Sequence, residues 1–176
     1  MKKSNSPLTR KQLFKKYKLN NELFFETGTH KGESVQIALD LGFKKIISVE
    51  ILYDFYTECC ALFGYNPKVK LFLGDSNEKI EEMLKLVDGP SLFWLDGHVD
   101  GVDASCLWGE LKAIKNHKIK NHTIIVDDIP LYFQDGSKVK EKILEINPNY
   151  KFILEDALNE GNGKTMKGWD LVAYIE

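Results

Sequence analysis

Apolar positions in this chain of 176 residues follow two patterns that take turns. Leu23 to Glu26, Lys45 to Ile51, Val69 to Leu73, Ser91 to Leu95 and Thr123 to Val126 are short runs of aromatic and branched side chains with little alternation. Such runs predict strands covered on both faces, and hence a largely parallel sheet. Between them the apolar spacing becomes helical. Val35, Ala38, Leu39 and Leu41 mark a helix over Ser34 to Leu41 that Gly42 ends, and Tyr53 to Phe63 is a helix stopped by Gly64 and Pro67. Another, capped by Ser76 or Asn77, runs to Val87, where Asp88-Gly89-Pro90 breaks it, and Ala104 to His117 forms a fourth.

The two ends depart from this alternation. A short helix over Leu8 to Tyr17, with Thr9 or Ser6 as its cap, opens the chain. After the fifth strand come a helix, Ser137 to Ile146, a strand, Tyr150 to Glu155, a glycine-rich loop, Ala157 to Gly168, and a last strand, Trp169 to Ile175. Two strands joined without a helix predict an antiparallel pair at the sheet edge. The expected fold is therefore α/β and doubly wound, with a mostly parallel seven-stranded sheet and an antiparallel edge hairpin. Residues 19–176 make one domain, and residues 1–18 precede it as a basic extension with a short helix.

Composition narrows the class. With 43% hydrophobic and 28% charged residues the chain suits one compact domain with a sizeable core. A net charge of −2 gives no bulk attraction to nucleic acid or an acidic membrane. Seven basic residues and no acid lie between Met1 and Lys18. They read either as a solvated tail leading into the helix or as an arm that recruits a phosphate-bearing substrate. Cys59, Cys60 and Cys106 fit neither a disulfide framework nor a zinc site. No apolar run reaches the roughly 20 residues that span a bilayer, so the cytoplasm is the expected compartment and no membrane partner is expected.

Candidate chemistry begins at Glu26-Thr27-Gly28-Thr29-His30-Lys31-Gly32, between the first strand and the following helix. A parallel sheet leaves a crevice at the carboxyl ends of its strands, where a nucleotide-like ligand can lie against a glycine turn and offer its ribose to an acid. Glu50 ends the second strand and is that acid. The glycine spacing lacks the first glycine of Gly-x-Gly-x-x-Gly, which argues against a nicotinamide or flavin dinucleotide.

With its terminal hairpin, this order of elements resembles the class I S-adenosylmethionine-dependent methyltransferases over nearly the whole chain. Glu26 to Gly32 match that family's acid-x-Gly-x-x-x-Gly turn, followed by Glu50, Gly74-Asp75 and Asp96. The resemblance implies S-adenosylmethionine as cofactor. Its amino-acid head would be held by Glu26 and the Thr27 to Thr29 backbone, with Gly28 and Gly32 allowing close approach and Ser34 as a further cofactor contact. Its ribose would lie on Glu50, its adenine beside Asp75 and Ser76, and Asp96 would border it at the fourth strand.

A second group of acids lies in Leu95-Asp96-Gly97-His98 and Val126-Asp127-Asp128. If the fourth and fifth strands are neighbours, Asp96, Asp127 and Asp128 converge at one rim and repel one another unless a hard divalent cation such as magnesium sits between them. The arrangement resembles the metal-dependent O-methyltransferases of the catechol type and the macrocin and cephalosporin-hydroxylase-like groups, where acids after these strands bind the metal. The resemblance implies oxygen methylation of a small molecule or glycan, with Asp96 in the catalytic centre; His98 is the candidate general base, because a neutral imidazole can accept the proton that the metal acidifies. Val99 to Asp103 and Asn162-Gly163-Lys164 are candidate lids. Two alternatives stay open: a metal-independent methyltransferase acting on nucleic acid through the basic amino terminus, and a scaffold that binds the cofactor without turnover. An oligomer is compatible with either.

Overall fold

The computed structural model describes residues 6–97 and 106–175. Candidate residues His98 and Val99 to Asp103, together with Lys2 and Lys3, lie outside the described residues.

Seven strands form one sheet in the order β3-β2-β1-β4-β5-β7-β6. They are β1 (Leu23–Thr27), β2 (Lys45–Glu50), β3 (Val69–Leu73), β4 (Ser91–Leu95), β5 (Thr123–Val126), β6 (Lys151–Leu158) and β7 (Thr165–Tyr174). The first five are parallel, and β7 runs antiparallel to both β5 and β6. The chain moves outward from β1 through β2 to β3, then returns to the other side of β1 with β4. This reversal places a crevice at the carboxyl ends of β1 and β4, where open α/β sheets bind ligands.

Helices α1 (Arg10–Tyr17), α2 (Glu33–Asp40) and α3 (Tyr53–Phe63) cover one face, and α4 (Ser76–Leu84), α5 (Cys106–Asn116) and α7 (Ser137–Leu144) cover the other. The unbroken apolar runs follow from this sandwich. On β1, Phe24 points into the layer of α1 and α2, while its neighbour Phe25 points into the layer of α4 and α5; Leu92 and Phe93 divide the same way on β4. Every residue of β1, β4 and β5 is buried. Edge strand β3 is only partly covered.

Helix α1, set apart as an extension in the sequence, packs into the core. Thr9 and Gln12 form a reciprocal capping box at its start. Phe14 is fully buried between Phe24 and Trp94, with both ring centroids at 5.1 Å, and Leu8 bridges to Ala157. Three lysines on and just after it pair with the fold: Lys11 Nζ reaches Asp40 at 2.8 Å, Lys16 Nζ reaches the buried Glu155 at 2.6 Å, and Lys18 Nζ donates to the Leu41 carbonyl. Tyr17 donates its hydroxyl proton to the same Glu155.

Two elements differ from expectation. A single-turn helix, α6 (Ile129–Tyr132), follows β5, with Pro130 in its first turn. The stretch expected as a loop from Ala157 to Gly168 is strand at both its ends, since β6 continues to Leu158 and β7 begins at Thr165 after a register shift between Glu155 and Ala157. A bulge of this kind interrupts the side-chain alternation that marks a strand.

Candidate functional site

The turn after β1 is shaped by contact with β4. Gly28 has φ +84°, and a Cβ there would lie 2.2 Å from the Asp96 carbonyl oxygen. Gly32, φ +78°, faces the Phe63 ring at 2.5 Å by the same measure. Packing inside the fold thus demands a glycine at both positions, whatever lies in the crevice. The amides of Gly28 and Thr29 both donate to the Val49 carbonyl, at 3.0 and 3.1 Å, and so tie the turn to the end of β2.

A cavity of about 550 Å³ opens at the carboxyl ends of the strands. Its lining includes Gly28, Thr29, Ser34, Glu50, Asp75, Ser76, Asp96 and Asp128. Glu26, Thr27 and Gly32 do not line it, and Asp127 stands behind Asp128 with 6% of its surface exposed. Asn162, Gly163 and Lys164 are also absent from the lining. Glu50 accepts hydrogen bonds from the His30 amide at 2.6 Å and the Leu52 amide at 2.8 Å, one on each carboxylate oxygen. These two bonds fix its orientation, and each oxygen retains a lone pair for a ligand hydroxyl. Asp75 caps α4, its Oδ1 accepting from the Asn77 amide at 2.8 Å, and still borders the cavity.

Glu26 lies under the turn with no exposed surface. Ser48 Oγ donates to its Oε2 at 2.6 Å, and Thr29 Oγ1 lies 2.5 Å from Ser48 Oγ. Burial pushes the Glu26 pKa up to about 7, against the opposing pull of Ser48, Ser34 and Arg10. A carboxyl whose folded pKa exceeds its unfolded value of 4.5 binds more protons folded than unfolded, so it subtracts stability as pH rises from about 4.5 to 7. Relative to the wild type, Glu26→Gln is therefore expected to be more stable at pH 8 than at pH 5, by up to about 3 kcal/mol in urea unfolding. A difference that does not change with pH contradicts the assignment.

At the other end of the cavity the acids gather. Asp96, Asp127 and Asp128 each offer an oxygen within 4.8 Å of the others. Asp128 adopts a left-handed backbone, φ 55°, and its amide donates to Asp127 Oδ1 at 2.7 Å. A fourth acid, Asp170 on β7, is hydrogen-bonded to Asp127. Burial, then the neighbouring Asp127, drives Asp96 well above the ordinary carboxylate range. Burial and Asp127 do the same to Asp170, and Asp127 is raised by burial and Asp128. This is the state expected of carboxylates that lack a full countercharge. Oxygens at these separations suit a hard cation of six-coordinate, oxygen-rich preference, so the residues fit magnesium.

Two residues here were not singled out from sequence. Asp170 is a lone acid in an apolar strand, and the pairing of Val126 with Leu171 carries it beside Asp127. Arg10 comes from α1 and lines the same cavity. Burial works against its charge, yet Asp96, Asp127, Glu26 and Glu33 together raise its pKa.

No protein-family model matches the chain. Apolipoprotein N-acyltransferase 2 of Leptospira interrogans is 30% identical over 115 residues, 65% of this chain and 18% of that protein. The chain therefore spans under a fifth of the length of the curated relatives it matches. Among solved structures, an O-methyltransferase from Bacillus cereus in complex with SAH superposes with TM-score 0.64 at 11% identity, covering 94% of this chain and 78% of the other. A spermidine synthase from Thermotoga maritima superposes with TM-score 0.60 at 13% identity, covering 95% and 57%. The chain has the Rossmann-like fold of the class I S-adenosylmethionine-dependent methyltransferases. Since a spermidine synthase shares it, the fold alone does not choose the group transferred.

Proposed function

We propose that this chain is an S-adenosylmethionine-dependent methyltransferase that methylates an oxygen of a small molecule or glycan, assisted by a divalent cation. One observation carries the proposal: Glu50, Asp75 and the glycine turn share a single cavity with the aspartate cluster, at the point where the sheet reverses its order. In this reading Glu50 accepts the two ribose hydroxyls, Asp75 and Ser76 face the adenine, and Thr29 and Ser34 border the amino-acid head. The sulfonium then faces the acids of β4 and β5, which favour its positive charge.

Asp96, Asp127 and Asp128 would hold the cation. When bound, magnesium supplies a Lewis acid that lowers the pKa of an acceptor hydroxyl. The chain's own contribution is to fix the donor and the acceptor oxygen in one crevice, which saves the entropy of bringing them together. The pairing of Lys11, Lys16 and Lys18 within the fold leaves the basic amino terminus less able to hold nucleic acid, and so favours the small acceptor.

The test is methyl transfer from labelled S-adenosylmethionine to a panel of vicinal diols and sugars, with magnesium and with a chelator. Transfer in magnesium that falls at least ~100-fold in chelator is expected. Chelator-insensitive transfer overturns the role of the cation, and cofactor binding without transfer to any acceptor favours the scaffold.

A further inference from the structure

The geometry points to Arg10 as the anchor for the carboxylate of the cofactor's amino-acid head, which makes helix α1 a working part of the cofactor site. This rests on the reading of the cavity as an S-adenosylmethionine site, and goes beyond it by assigning the charged end of the ligand to a residue outside the glycine turn.

The guanidinium is held but underused. Its Nη1 donates to Ser34 Oγ at 3.2 Å, and its Cζ lies 5.4 Å from the centroid of a Trp94 ring. Glu33 Oε2 is 3.9 Å away, too far for a hydrogen bond. Among the described residues the fork's one recorded hydrogen bond goes to a hydroxyl and not to a carboxylate, and Glu33, Asp96, Asp127 and Glu26 act on it through space. An arginine has five N–H donors in a planar array that matches a carboxylate with two parallel bonds. With side-chain exposure of 34% and a place in the cavity wall, Arg10 presents its remaining donors to whatever fills the cavity.

The charge pattern of the cavity selects the ligand. Glu33, Glu50, Asp75, Asp96 and Asp128 all line it. A zwitterionic head with an ammonium and a carboxylate gains from the acids at one atom and is repelled by them at the other. A cation beside Ser34 removes that repulsion. With the ribose on Glu50 and the adenine on Asp75, the head lies toward Ser34 and Asp96, where Arg10 stands. His30 and Lys31 also line the cavity, but both are exposed.

Helix α1 is fixed well enough for this task. Its capping box, the buried Phe14, and the two bonds from Lys16 and Tyr17 to Glu155 hold it on the sheet before any ligand arrives. A donor array that is already in place spends little of its binding energy on ordering itself.

The test compares S-adenosylhomocysteine with 5′-methylthioadenosine, which keeps the nucleoside and the sulfur but has no amino-acid head, by calorimetry on the full chain without acceptor. The wild type should bind the first at least ~30-fold more tightly, since a charge-assisted double hydrogen bond is at stake. Arg10→Ala should lose about 30-fold toward S-adenosylhomocysteine and less than about 2-fold toward 5′-methylthioadenosine. Arg10→Lys, which keeps the charge and loses the fork, should fall between. Equal losses toward both ligands in both variants would make Arg10 a structural residue, and an unchanged affinity for S-adenosylhomocysteine would remove it from the site; either overturns the assignment. Failure of the wild type to bind either nucleoside defeats the cofactor reading itself, and is told apart from the first two because it appears without any substitution.

Discussion

Gly28→Ala is expected to destabilise the protein by about 2–5 kcal/mol, from two causes that add. An L-residue in a left-handed backbone costs about 1–2 kcal/mol, and Gly28 sits at φ +84°. The new methyl would also lie 2.2 Å from the Asp96 carbonyl oxygen, a backbone atom at the end of β4 that cannot swing aside. Overpacking of that kind costs about 1–3 kcal/mol more. Gly163→Ala is the internal control, with φ +69° and nothing within 4 Å, so it should show only the first cost. Urea unfolding of the two variants separates the terms. Equal losses would mean that the turn and β4 are not packed as described.

Asp127→Asn should change the protein in two opposite directions. In metal-free buffer at pH 8 its thermal midpoint should rise, because one of four clustered carboxylates no longer repels the others. The amide oxygen can still accept from Asp128 N–H, so the local turn survives. Magnesium at about 100 times its dissociation constant should stabilise the wild type by roughly 2.7 kcal/mol and leave the variant almost unmoved. Methyl transfer in magnesium should drop by ~100-fold or more, since even outer-shell partners of a metal are worth 10–100-fold. Equal stabilisation of both proteins by magnesium would show that the aspartates are not its ligands.

Much of this arrangement was legible because it is local. Helix α3 and strands β3, β4 and β5 have the bounds that their apolar runs and flanking Gly, Pro and Asp residues indicate. Glu50, Asp75, Asp96 and Asp128 were recognisable because strand ends in a parallel sheet face one crevice, so position in the strand stands in for position in space. The hairpin was harder. Its outer part depends on a bulge and on Ala157 pairing with Leu8, a partner roughly 150 residues away that no local window contains.

Arg10 and Asp170 were missed for the same reason. An arginine near a terminus, among lysines, looks like solvated charge until Phe14 and Tyr17 are known to anchor the helix that carries it. Asp170 looks like a surface position on an edge strand until the pairing of β7 with β5 brings it against Asp127. The two glycines of the turn stand out in the sequence, but their packing against Asp96 and Phe63 could be learned only from the fold.

All of the chemistry above depends on the cavity between β1, β2 and β4 receiving an adenosyl donor. Titration of the wild-type chain with S-adenosylhomocysteine tests this most directly. One molecule per chain, with a dissociation constant at or below about 0.1 mM, is the predicted result for a pre-formed, charge-complementary site. No saturable binding at millimolar ligand would contradict it.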